Sequence, residues 1–187
     1  CIRDRTETYE TPAFFACLIY SFSLILLYGT STLYHCHLWS RPHYLLIRRL
    51  DHGCIYLLIA GSATPICLLG LNNAAGKHLM ILLWLLAAMG LFIAIFWSHA
   101  PKWVRALIYI VMGWIAAPYL SQIETSLGHT DTLLLLIGGI FYTLGALIYA
   151  VKRPDPYPAI FGYHEIFHLF VVLASAIHFG VIYHLAT

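Results

Sequence analysis

The last long apolar stretch of the chain opens with Gly162-Tyr163-His164-Glu165-Ile166-Phe167-His168. Histidines four apart lie on one face of a helix, one turn from each other, so both imidazoles can reach a single metal ion. The same string fits the H-E-x-x-H pattern of metalloproteases, with Glu165 in the general-base slot. A pattern this short also arises by chance, and two such histidines can equally hydrogen-bond across a bundle or sit at a membrane interface. A second pair, Ser31 and His35, again stands at i and i+4. Taken alone, His35 reads as an interfacial histidine. Asp51 stands beside His52 where another apolar stretch opens, and a carboxylate there reads, alone, as an N-terminal cap or dipole partner.

The elements that must position these residues are membrane helices. Of 187 residues, 61% are hydrophobic and 10% charged, against roughly a quarter charged in an ordinary soluble domain. The mean hydropathy is +0.80. The apolar residues fall in six long blocks, approximately Ala13 to Cys36, Ile55 to Leu71, Leu79 to Trp97, Trp103 to Leu120, Thr132 to Val151 and Ile160 to Leu185. Each is near the length, about 20 residues, that a helix needs to cross roughly 30 Å of hydrocarbon. Short breaker-rich stretches separate them: Ser40-Arg41-Pro42, Asn72-Asn73, Ala100-Pro101-Lys102, 128–131 and 152–156. Backbone in lipid must satisfy its own hydrogen bonds, so helices are expected over barrel strands. The fold class is therefore all-α: a polytopic transmembrane helical bundle with six helices. It forms a single domain over residues 1–187, with 1–12 a polar extramembrane segment. There is no repeat or low-complexity tail.

Loop charges set the expected orientation. Loops after the first, third and fifth helices carry seven basic residues, Arg41, Arg48, Arg49, Lys102, Arg105, Lys152 and Arg153, against three (Arg3, Arg5, Lys77) on the other side. The richer side is expected to be cytoplasmic, in a plasma (inner) membrane, with both ends of this chain outside. His35 then lies at the cytoplasmic end of the first helix, and Asp51, His164 and His168 lie at the cytoplasmic starts of the second and sixth. Three imidazoles and a carboxylate share one layer, and three histidines with an open position make a catalytic zinc arrangement. His178, ten residues past His168, is about 15 Å further along the helix and reads as a satisfied core histidine. His52 faces away from Asp51, and His37, His43, His78, His99, His129 and His184 belong to loops or helix ends.

Pro65 and Pro118 predict kinks, with Ser62 or Thr64 helping the freed carbonyls. Trp39, Tyr44, Trp97, Trp103 and Tyr183 read as interfacial anchors. The cysteines (Cys1, Cys17, Cys36, Cys54, Cys67) form no C-x-x-C pair and read as small buried residues. A net charge of +2 without a basic aromatic patch implies no nucleic-acid partner. The first residue is Cys1, and the polar start carries no signal-peptide pattern. A helix upstream of it is expected.

Ser31-Thr32-Leu33-Tyr34-His35, Leu50-Asp51-His52 running into Ala60-Gly61-Ser62-Ala63-Thr64-Pro65, and Phe161 through His168 resemble the hemolysin III family over essentially the whole chain. That family is similar to the progestin and adiponectin receptor family and to alkaline ceramidases, a superfamily of metal-dependent membrane hydrolases. The resemblance implies seven helices, the first of them upstream of this sequence. It implies His35, His164 and His168 as zinc (Zn2+) ligands, Asp51 orienting or deprotonating a water, and Ser31 supporting the site by hydrogen bonding. Receptor relatives carry Gln where this chain has Glu165, which ranks Asp51 above Glu165 as the base. The expected function is zinc-dependent hydrolysis of a lipid amide or ester, with membrane lipids as partners. The alternatives are a zinc-stapled homeostasis or receptor-like protein, a haemolytic protein, and an intramembrane metalloprotease that rests on the H-E-x-x-H string alone.

Overall fold

A computed structural model describes residues 3–71, 73–97, 99–158 and 160–186, with side chains from Pro12 onward. Cys1 and Asn72, named above, lie outside the described residues. All the regular structure among the described residues is helical, and six helices are long and apolar enough to cross a membrane. The chain divides into two compact units, one ending at His99 and the other covering Ala100–Leu185.

The first unit holds α1 (Arg3–Cys36), α2 (Arg41–Pro65) and α3 (Ala74–Phe96). α2 opens at the Ser40-Arg41-Pro42 stretch assigned above to a loop, far ahead of the predicted start at Ile55. Proline in the first turn gives up an N–H that has no partner there anyway. Arg48, Arg49, Asp51 and His52 interrupt the apolar run but not the helix, because long basic side chains can keep their heads at the membrane surface while their stems stay apolar. After Pro65 the chain passes into one wide turn, a π-helix over Ile66–Leu71. Thr64 Oγ1 donates to the Ala60 carbonyl at 2.8 Å and Ser62 Oγ to that of Ile59 at 3.2 Å. The carbonyl freed by Pro65 belongs to Gly61, so these hydroxyls serve its neighbours. α3 is capped by Asn73, whose side chain accepts from Gly76 N at 2.9 Å.

Contacts between α1 and α2 run in opposite senses along the two helices: Ser31 with Asp51, Thr30 with Cys54 and, further on, Ser23 with Gly61. Gly61 lets the backbones close up, since a Cβ there would run into the Ser23 side chain. Trp84 Nε1 donates to Thr64 Oγ1 at 3.1 Å, tying α3 to α2.

The second unit holds α4 (Lys102–Trp114), α5 (Leu120–Leu127), α6 (His129–Val151) and α7 (Tyr163–Ala186). α4 and α5 together make one span, broken at the predicted Pro118 by a short 3₁₀ turn over Ala117–Tyr119. α6 and α7 are joined through Tyr142 and Ser175, whose hydroxyls lie 2.8 Å apart, and through Phe141 against Phe170. Large apolar side chains such as Phe22, Ile25, Leu85, Phe92 and Leu147 point outward, as lipid-facing residues must. Trp97, Trp103, Tyr44 and Tyr183 are exposed near helix ends, consistent with interfacial anchoring.

Candidate functional site

Ser31 and His35 occupy the last turns of α1, and Asp51 lies about three turns inside α2. Asp51 is therefore no cap: the N-cap of α2 is Ser40. Its side chain is buried, 9% exposed, and hydrogen-bonds with the Ser31 hydroxyl. The His35 imidazole is close enough to act electrostatically on the same carboxylate. An ionised group in an apolar span is costly without such partners, so this stretch of α1 and the Asp51 turn of α2 suit one another. The end of α1 is braced as well. Tyr34 and Tyr44 hydroxyls meet at 2.9 Å, Trp39 Nε1 donates to the Leu33 carbonyl at 2.8 Å, and the Tyr34 and His35 rings stand edge-on at 4.5 Å. His52 turns to its own helix, its Nδ1 donating to the Arg48 carbonyl at 2.6 Å.

In the second unit His164 and His168 point their Nε2 atoms at each other, 3.1 Å apart, with the rings nearly perpendicular at 82°. Both are half-buried. Two nitrogens each about 2.0–2.1 Å from one tetrahedral zinc ion would stand roughly 3.3 Å apart. The pair therefore fits a shared zinc ion closely, and neutral imidazole is a suitable donor. The other arrangement open to it is a hydrogen bond in which one Nε2 carries the proton.

Glu165, the middle of the H-E-x-x-H string, is engaged elsewhere: its Oε2 accepts from the Gly162 backbone N–H at 2.8 Å. That is the reach-back contact of a helix capping box, and it gives the carboxylate a backbone role at the start of α7. The Gly162-x-x-Glu165 spacing carried this signal in the sequence. Asp155, which accepts from Tyr163 N at 3.1 Å, and Lys102, which donates to the Tyr163 hydroxyl at 2.8 Å, had no local signal. His178 is a tie between helices. Its Nε2 donates to the Leu135 carbonyl of α6 at 3.2 Å, and its ring stands edge-on to Tyr142.

Of the cysteines, Cys54 and Cys67 are buried as expected, Cys17 is half-buried and Cys36 is exposed.

Six apolar spans with ionisable residues held inside them define a multi-pass helical integral membrane protein. The family described as "Haemolysin-III related" matches residues 3–179, and the chain belongs to it. The chain is 34% identical over 161 residues to "Hemolysin-3 homolog" of Bacillus subtilis, covering 86% of this chain and 72% of that protein. It is 36% identical to "Hemolysin-3" of Bacillus cereus, over 86% of this chain and 70% of that one. A human protein, "Monocyte to macrophage differentiation factor", is 31% identical over 88% of this chain and 68% of its own length.

Proposed function

We propose that this protein is a zinc-dependent membrane hydrolase that cleaves a lipid amide or ester on the cytoplasmic side of the plasma membrane. His35, His164 and His168 are the proposed zinc ligands. The observation that carries the reading is the His164–His168 pair, with Nε2 atoms 3.1 Å apart in the first turns of α7. A zinc ion held there supplies Lewis acidity towards a water and a carbonyl. Asp51 accepts the proton of the attacking water, and its burial in an apolar span raises the cost of leaving its charge unpartnered. Ser31 holds the Asp51 carboxylate in place through their hydrogen bond. The lipid surroundings admit an apolar substrate without passage through water. The excess of Lys and Arg in the opening turns of α2 and α4 and in the segment before α7 supports the cytoplasmic side.

The test is metal content of the detergent-purified protein beside the double variant His164→Ala/His168→Ala. The expected result is about one zinc per chain, lost in the variant, followed by turnover of a lipid amide or ester that Asp51→Asn abolishes while zinc stays bound. A folded wild type that neither holds nor takes up zinc would sink the proposal. Zinc retained with no turnover of any lipid amide or ester would leave a zinc that staples helices.

A further inference from the structure

The sixth membrane span begins abruptly. His164 is only the second residue of α7, and His168 follows one turn later. Their separation is thus set in the first turns, where a helix has unpaired N–H groups and tends to fray. Two carboxylates take up these groups from two directions. Glu165 Oε2, from inside the helix, accepts from Gly162 N at 2.8 Å, and Asp155 Oδ1, from the segment after α6, accepts from Tyr163 N at 3.1 Å. Both negative charges also stand at the favourable end of the helix dipole. Gly162 permits the Asp155 approach, because a Cβ there would run into the Asp155 carboxylate oxygen.

A third contact fixes the side chain next to His164. Lys102 donates to the Tyr163 hydroxyl at 2.8 Å while lying over the rings of Tyr163 and Tyr149, 4.7 and 4.6 Å from their centroids. Backbone and side chain of Tyr163 are therefore both held from outside the helix.

We propose that Glu165 and Asp155 are positioning residues that clamp the first turn of α7 and so hold His164 and His168 at the separation a metal ion needs. The inference rests on reading those two histidines as metal ligands. It assigns the glutamate of the H-E-x-x-H string to the backbone, not to proton transfer. A glutamine at that position would keep this contact, losing only the smaller dipole contribution, since its side-chain carbonyl accepts the same N–H. Alanine would not.

The experiment uses Co2+ as a spectroscopic probe on the detergent-purified full chain, comparing wild type with Glu165→Gln, Glu165→Ala and Asp155→Ala. Glu165→Gln is expected to keep wild-type Co2+ affinity and an unchanged visible band. Glu165→Ala and Asp155→Ala should each weaken Co2+ binding roughly 3- to 30-fold, the effect of losing one helix cap. Amide hydrogen exchange over residues 163–168 should quicken in both alanine variants and not in Glu165→Gln. Wild-type affinity in both alanine variants would overturn the proposal, as would Glu165→Gln weakening Co2+ binding as much as Glu165→Ala. A wild type that binds no Co2+ would remove the metal reading itself and this inference with it, whereas the other two failures leave that reading standing.

Discussion

Among the described acidic side chains, Asp51 stands apart in being buried inside a membrane span with a hydroxyl and an imidazole for company. If it is the base of the proposed hydrolase, Asp51→Asn keeps the shape and the Ser31 contact but cannot take a proton. Lipid turnover should fall by at least about 100-fold at unchanged zinc content, measured by product release and elemental analysis on the same sample. Ser31→Ala should be milder, roughly tenfold in turnover, as expected for one hydrogen bond to a charged group. The residue types and spacings were legible in the sequence: the i and i+4 pairs are visible without coordinates. The surroundings of Asp51 were not. Its neighbours Arg48, Arg49 and His52 made the turn look like a helix start, and only the packed chain shows it well inside α2. Glu165 was ambiguous for a different reason, because one string of residues carries both a metalloprotease pattern and a capping pattern.

At the scale of elements, α6 and α7 depend on a close approach at Gly138. A Cβ at that position would run into the His178 ring, which must reach past it to donate to the Leu135 carbonyl. Gly138→Leu should therefore destabilise the protein by about 1–3 kcal/mol, the usual range for forcing bulk into a packed core. The check is the midpoint of unfolding in denaturing detergent. The hydrophobic blocks predicted all six spans, since apolar length is what a membrane selects. Their ends were less legible. α2 and α6 begin earlier than the apolar runs, at Arg41 and His129, where polar residues continue a helix that hydropathy alone would stop. The interruption at Pro118 was visible as a proline, but its form, a 3₁₀ turn between α4 and α5, depends on neighbouring backbone that composition does not report.

For the molecule as a whole, the loop charges make a directional statement that a single thiol can check. Cys36 closes α1 and is exposed, whereas Cys54 and Cys67 are buried. With the basic side cytoplasmic, a membrane-impermeant maleimide should label Cys36 in inside-out vesicles and not in intact cells, read by the mass shift of the peptide that carries Cys36. Cys54 and Cys67 should stay unlabelled until the protein is unfolded. Labelling of Cys36 from outside the cell would invert the orientation and place the proposed chemistry on the other face.

The second span is unusually long, 31 residues from Arg41 to Leu71. At about 1.5 Å per residue that is roughly 45 Å, against a hydrocarbon layer of about 30 Å. With the span upright, its extra turns stand among the lipid headgroups, and Arg48 and Arg49 mark that end. Asp51 is then tethered to the seam between water and oil by the arginines just before it. Bilayer thickness becomes a control on the proposed reaction: lipids with longer acyl chains would draw the hydrocarbon boundary over the carboxylate. Turnover in vesicles should fall as acyl chains lengthen at constant headgroup.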